Sequence, residues 1–158
     1  MLSKTTWTVI VVVIIIILGS ILHFTYEWTD DNQFVGYFSS VNESVWEHLK
    51  LIFFPVIIAA LVFYYIGLKK NDRNKNLWSS IFLAAIVGMI FIVISFYTYT
   101  GAITEESVIG IDLLIFVIAA ILSAVIIIAV MTNLKCSSEF EKLSFLLVLI
   151  IMKNLQKD

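Results

Sequence analysis

The side chains suited to metal binding or acid–base chemistry are few in this chain, and they lie near the ends of long apolar segments. The sequence holds only two histidines, His23 and His48, and Glu47 directly precedes the second. Neutral imidazoles and carboxylates are ligands that suit Zn²⁺, with one coordination position left for water. The candidate zinc ligands are therefore His23, His48, Glu47 and Asp112. In this hypothesis Glu47 is the candidate catalytic residue, a general base acting on the zinc-bound water.

A wider set of polar and aromatic residues is expected at the same level as the histidines. His23 and Glu27 are four positions apart, so on a helix they differ by about 40° and share a face. Glu43 and Glu47 share a face for the same reason. The candidate lining of a ligand pocket is His23, Glu27, Asn42, Glu43, Trp46, Glu47, His48, Lys50, Tyr97, Tyr99 and Asp112.

Three interpretations of this polar set stay open at the level of sequence. In the first, Asp112 pairs with Lys50 and the other groups are ordinary residues of the headgroup layer. The second is the zinc site, and the third is a metal-free pocket or proton relay for a substrate or a coupling ion. Convergence of the histidines separates the first from the others, and we expect their ring nitrogens to lie within about 8 Å of each other.

The composition indicates which solvent surrounds most of the chain. Of the 158 residues, 61% are apolar and 14% are charged, and the mean hydropathy is +1.02. A soluble chain of this size carries about a quarter charged residues and has too little interior to bury so much apolar surface. An ordinary soluble domain is therefore excluded, and the lipid bilayer is the expected partner of most of the chain.

Four apolar segments are long enough to cross the bilayer, which takes roughly 20 helical residues for about 30 Å of hydrocarbon. They run over residues 6–26, 46–68, 77–99 and 107–131. A helix near 140–155 has too short an apolar run to cross alone, and it is either interfacial or a partial span. The predicted fold class is an all-α integral membrane protein, a bundle of four transmembrane helices plus a short C-terminal fifth helix. Residues 1–158 form a single polytopic membrane domain.

Two local patterns refine these helices. Ser40 and Glu43 have the spacing of a capping box, which predicts that the second helix begins near Val41. Small residues four positions apart predict close packing of the third and fourth helices. They are Ala84 and Gly88, Ala119 and Ser123, and Ala120 and Ala124.

Basic residues are concentrated on one side of the predicted membrane. The connection 69–75 holds four Lys or Arg, whereas 27–45 and 101–106 hold none and carry six Asp or Glu. The positive-inside rule then places the N-terminus in the cytoplasm and the acidic loops outside, in a multi-pass protein of the cell membrane. The basic connection is explained by topology and anionic lipid, so no nucleic acid is expected as a partner.

A family resemblance is carried by three strings. Residues 40–51 read SVNESVWEHLKL, with HFTYEW at 23–28 before them and FYTYTG at 96–101 after them. Together with the stretch that begins at Asp112, they resemble a family of small, uncharacterised, multi-pass bacterial membrane proteins. The resemblance covers roughly residues 20–118. It implies a bacterial inner-membrane protein whose polar cluster is the family signature, and it implies no reaction.

The expected function is that of an integral membrane protein of unknown activity with an outward-facing polar pocket for a small or lipidic ligand. One alternative is a metal-dependent membrane hydrolase or transferase with zinc as its cofactor. Another is a non-catalytic subunit that packs with a larger membrane complex. Four short helices make a narrow translocation path by themselves, so a homo-oligomer or a partner membrane protein is favoured. The sequence leaves open whether the protein is an enzyme.

Overall fold

A computed structural model describes residues 2–68, 76–104 and 106–156 and shows a protein built from helices. The helices are α1 (Lys4–Trp28), α2 (Gln33–Gly36), α3 (Val45–His48), α4 (Lys50–Val62), α5 (Leu77–Tyr99), α6 (Ile109–Asn133) and α7 (Ser138–Leu155). The π-helical turns Phe63–Gly67 and Thr100–Thr104 extend α4 and α5, and the described ranges contain no β-strand.

Four helical stretches are long and apolar enough to cross a membrane. They are Lys4–Trp28, Val45–Gly67, Leu77–Ile103 and Ile109–Asn133. The prediction of four spans and a short C-terminal helix is confirmed, with each span end within four residues of its predicted position. The fold is that of an all-α integral membrane protein.

α1 is apolar both on the face that packs against the bundle and on the face that is exposed. Residues four positions apart stand above one another on a helix. One stripe is buried against the bundle and the other is exposed, yet both are apolar, as expected where the outer solvent is lipid. The buried stripe is Trp7, Val11, Ile15 and Gly19, and the exposed one is Val9, Val13, Ile17, Ile21 and Phe24.

α4 is the central helix of the bundle. It packs against α1, α5 and α6, and α6 also contacts α1 and α5, so that the four spans enclose a common core. Ile52, Phe53 and Val56 of α4 are fully buried in that core. The bundle has two ends. We call the end where α1 finishes and α3 and α6 begin the acidic face, and the opposite end, where α5 and α7 begin, the basic face.

A proline and a glycine bring three helices close together below the acidic face. Pro55 has no N–H to donate to the carbonyl of Leu51 one turn earlier in α4. Gly19 of α1 lies against that carbonyl, where a methyl group would come within 2.7 Å of the oxygen. The same methyl group would lie 2.5 Å from the ring of Phe116 on α6. Glycine is therefore required at this crossing of α1, α4 and α6.

The predicted close packing of α5 and α6 is confirmed. The small residues of both helices are buried, and Ser123 Oγ donates a hydrogen bond of 3.0 Å to the carbonyl of Ala84. Gly88 packs against the same hydroxyl, where a methyl group would come within 2.6 Å of the oxygen.

The second helix begins four residues later than the capping-box pattern predicts. The prediction of a capping box at Ser40 and Glu43 is wrong, because α3 starts at Val45 with Ser44 as its N-cap. Ser44 Oγ accepts a hydrogen bond of 3.3 Å from the backbone N–H of Glu47. Ser44 and Glu47 have the same Ser-x-x-Glu spacing one turn further on, and the sequence alone does not choose between the two pairs.

α7 packs lengthwise along α5. The Glu141 carboxylate accepts hydrogen bonds from the N–H groups of Trp78 and Ser79, at 2.7 and 2.9 Å, and so caps the first turn of α5. The other end of α7, at Leu155, borders a groove that Trp46 of α3 also lines. α7 thus extends from the basic face to the level of α3.

Candidate functional site

A cavity of about 290 Å³ lies between α1 and α6 at the acidic face, with residues of α3, α4 and α5 behind it. Its polar groups, from His23 to Asp112, lie toward the acidic face, and Phe116 lies one turn deeper than Asp112. The lining residues are Gly19, Ser20, His23, Glu43, Val45, His48, Leu51, Ile92, Phe96, Ser107, Ile109, Asp112, Leu113, Ile115 and Phe116.

Three side chains with metal-binding atoms converge in this cavity. His23, Glu43 and His48 each offer one such atom, and the three atoms lie within 4.8 Å of one another. The two imidazole rings meet edge to face with centroids 5.1 Å apart. The structure therefore brings the two histidines together as expected, but the carboxylate beside them is Glu43 rather than Glu47.

The His48 ring is held in one orientation by the backbone. Its Nδ1 lies 2.8 Å from the carbonyl oxygen of Ser44, one turn earlier. Because a carbonyl oxygen only accepts hydrogen bonds, Nδ1 carries the proton in this contact. In the neutral ring Nε2 is then an acceptor, and it lies 3.5 Å from the Glu43 carboxylate. Two acceptors at this separation repel each other unless a proton or another cation lies between them.

Glu47 and Lys50 form a separate, buried ion pair. Lys50 Nζ lies 2.8 Å from Glu47 Oε2, and the two side chains are 3% and 1% exposed. Lys50 also donates to the carbonyl of Gly36, and the same oxygen of Glu47 accepts from the N–H of Val41. The pair therefore fastens the connection between α1 and α3 to the start of the second span.

This pairing corrects two expectations. Lys50 pairs with Glu47 and not with Asp112, because residues three apart on a helix share a face and need no tertiary contact to meet. Glu47 belongs to this pair, and within the described residues it is not one of the three side chains that converge as metal ligands.

Asp112 borders the same cavity from α6, but its partner is a tyrosine. The hydroxyl of Tyr99 donates a short hydrogen bond to Asp112 Oδ1 and accepts one from the N–H of Val108. This contact joins the end of α5 to the start of α6. In the described part of the chain Asp112 lies outside the group of three converging ligands, so its role as a zinc ligand is not supported by the geometry.

The remaining predicted residues lie outside the cavity. Glu27 and Tyr97 are exposed, and Trp46 lines the groove beside α7. Asn42 Oδ1 accepts a hydrogen bond from the N–H of Ser44, which makes it a turn residue before α3.

The sequence-based prediction missed most of the cavity wall. Ser20, Phe96 and Phe116 line it, but nothing in an apolar segment distinguishes a cavity wall from a lipid-facing surface. The available signal was Gly19, a residue that is poor for helix stability and stands after a run of bulky apolar residues.

The fold and this cavity define a class: a small helical membrane protein with four spans and a polar cluster at one face. A family model matches residues 1–156, and the chain belongs to that family, a family of unknown function (DUF6512). The expectation of an uncharacterised family is confirmed. No curated protein and no solved structure matches the chain.

Proposed function

We propose that the cavity binds one amphipathic lipid, with its apolar chain between α1 and α6 and its polar head beside His23 and His48. The observation that carries this proposal is the two-part lining of the cavity. Imidazole and carboxylate groups lie toward the acidic face, and aromatic and aliphatic side chains such as Phe96 and Phe116 form the rest of the wall.

Access from the side supports a ligand that arrives through the bilayer. Ser20 on α1 and Leu113 on α6 both border the cavity, and both are exposed on the outside of the bundle. A lipid can therefore enter between these helices. A chain that leaves the bilayer for an apolar cavity gains little hydrophobic free energy, because lipid is already apolar. Selectivity in this proposal comes from the polar head.

Closure of the cavity toward the basic face favours binding over conduction. The ring of Phe116 fills the space in front of Gly19, so α1 and α6 are in contact one turn below the histidines. This contact closes the cavity on the side of the basic face, so a ligand that enters at the acidic face passes no further through the bundle.

The acidic face is proposed to lie outside the cell, so the cavity faces the exterior. Lys4 supports this orientation, because its Nζ donates a 2.6 Å hydrogen bond to Asn133 Oδ1 at the basic face. The described basic residues Lys4, Lys135 and Lys142 thus share one end of the bundle. The basic connection 69–75 lies outside the described residues. The positive-inside rule assigns such an end to the cytoplasm.

The test of lipid binding uses two matched substitutions on α1. The protein is purified in detergent with a chelator, depleted of lipid, and titrated with mixed phosphatidylethanolamine and phosphatidylglycerol. Native mass spectrometry counts the phospholipids retained by each chain. Ser20→Phe places a ring at the side opening of the cavity between α1 and α6, and Val13→Phe places one on the exposed face of the same helix.

Wild type and Val13→Phe should each retain one phospholipid, and Ser20→Phe should retain none at the same lipid concentration. Equal retention by both variants would contradict the proposal, because the retained lipid would then lie elsewhere on the bundle.

A further inference from the structure

We propose that His23, Glu43 and His48 form a binding site for one Zn²⁺ ion at the mouth of the cavity. The three side chains come from α1, from the connection before α3, and from α3 itself. They nevertheless place one ligand atom each within 4.8 Å of the other two. Two imidazoles and one carboxylate are a ligand set of mononuclear zinc sites that keep a fourth position open.

The separation of His48 and Glu43 is close to that of two ligands in a tetrahedral site. With metal–ligand distances near 2.0 to 2.2 Å, two ligand atoms of one zinc ion lie about 3.4 Å apart. His48 Nε2 and Glu43 Oε2 already lie 3.5 Å apart. The Glu43 side chain is 83% exposed and precedes the helix, so rotation about its side-chain bonds can adjust its own separation from His23 without moving the backbone.

The hydrogen bond that His48 makes through Nδ1 is of the kind that metal-binding histidines make through their second ring nitrogen. A ligating histidine usually donates its second ring N–H to a carbonyl or carboxylate, which fixes both the tautomer and the ring orientation. The contact between His48 Nδ1 and the carbonyl of Ser44 supplies this arrangement. It directs the Nε2 lone pair toward Glu43, and a cation between these two acceptors removes their repulsion.

The donor types select the metal. Imidazole nitrogens disfavour Mg²⁺ and Ca²⁺, which prefer oxygen ligands, and the absence of a thiolate in the cluster disfavours soft ions. An open position beside the cavity would accept water or an anionic group of a ligand. The metal site does not rest on the lipid proposal, since its three ligands are in place whether or not a lipid binds.

The experiment measures metal binding directly, with Co²⁺ as a spectroscopic substitute for Zn²⁺. The full chain is purified in detergent through a tag without histidine, in a Cys136→Ser background that removes the single thiol. Visible absorption reports tetrahedral Co²⁺, and displacement by Zn²⁺ gives the zinc affinity. We expect one Co²⁺ per chain, displaced by one Zn²⁺.

The Glu43→Gln substitution should weaken zinc binding by at least about tenfold, since even outer-shell substitutions cost about 10- to 100-fold. Its matched control is Glu27→Gln, which removes an exposed carboxylate on α1 one turn beyond His23 and should leave the affinity unchanged. Thermal unfolding of both variants in detergent checks that the fold is intact. His23→Gln should abolish the tetrahedral Co²⁺ spectrum.

Absence of Co²⁺ uptake by the wild type would overturn the site, and so would equal affinities of Glu43→Gln and Glu27→Gln. Metal binding is measured without lipid and lipid retention is measured with a chelator, so each proposal can fail while the other stands.

Discussion

At the scale of single residues, the buried pair of Glu47 and Lys50 decides how the connection before α3 is held. Removing two charges from water costs several kcal/mol for each ion, and only good geometry with further hydrogen bonds offsets that cost. The structure supplies both, through the 2.8 Å contact and the backbone partners at Gly36 and Val41. Since Glu43 precedes this pair in the chain and His48 lies between its two residues, the pair also positions these two candidate metal ligands.

Replacing one partner of this pair should destabilise the protein strongly, because it leaves the other charge buried without compensation. We expect Glu47→Leu or Lys50→Met to lower the free energy of unfolding by about 3 to 5 kcal/mol. The double variant should recover much of the loss, since two apolar side chains need no compensation. Unfolding in detergent with added denaturant measures all three variants and the wild type. If the losses simply add in the double variant, the two residues are not coupled.

The sequence identified the residues of the polar cluster but not their partners. Glu43 and Glu47 are one helical turn apart, and the sequence predicts both in the pocket but only Glu47 as a metal ligand. The start of α3 decides between them, and the capping-box pattern predicts this start one turn too early. With Ser44 as the N-cap, Glu47 turns inward to Lys50 while Glu43 precedes the helix and reaches His48.

At the scale of elements, the crossing of α1 with α4 and α6 depends on Gly19, whose lack of a side chain lets the three helices approach closely. Gly19→Ala would bring the new Cβ within 2.7 Å of the Leu51 carbonyl and 2.5 Å of the Phe116 ring. The ring can rotate away, but the backbone carbonyl cannot, so α1 must shift outward. Such overpacking costs roughly 1 to 3 kcal/mol.

The matched control is Gly110→Ala on α6, where no atom lies within 4 Å of the new methyl group. We expect this variant to be neutral or slightly more stable, because alanine exceeds glycine in helix propensity by about 1 kcal/mol. Thermal unfolding in detergent compares the two variants. A Gly19→Ala protein as stable as the Gly110→Ala protein would show that the three helices are not held at close approach.

The helices themselves were predictable because hydropathy over 20 residues is a strong signal in lipid. α7 is harder to predict, since its apolar run 143–152 is short and contains Ser144. What holds it in place is a tertiary contact, the Glu141 carboxylate on the first turn of α5. The residues that make such a contact lie 62 and 63 positions apart, and no local pattern reports it.

At the scale of the whole molecule, the direction of α7 decides on which side of the membrane the chain leaves the bundle. Glu141, near its beginning, lies at the first turn of α5, and Leu155, at its end, borders the same groove as Trp46. Its 18 residues extend about 27 Å at 1.5 Å per residue, nearly the thickness of the hydrocarbon core. The end of α7 should therefore lie on the same side as the acidic connections.

Single cysteines in a Cys136→Ala background test this arrangement together with the orientation of the bundle. Asp31→Cys and Gln156→Cys should react with a membrane-impermeant thiol reagent added to intact cells, because both positions follow helices that end at the acidic face. Asn74→Cys, in the basic connection, should react only after the membrane is permeabilised. Labelling of Gln156→Cys only together with Asn74→Cys would show that α7 does not reach the acidic face. Labelling of Asn74→Cys alone in intact cells would instead invert the whole bundle and place the cavity on the cytoplasmic side.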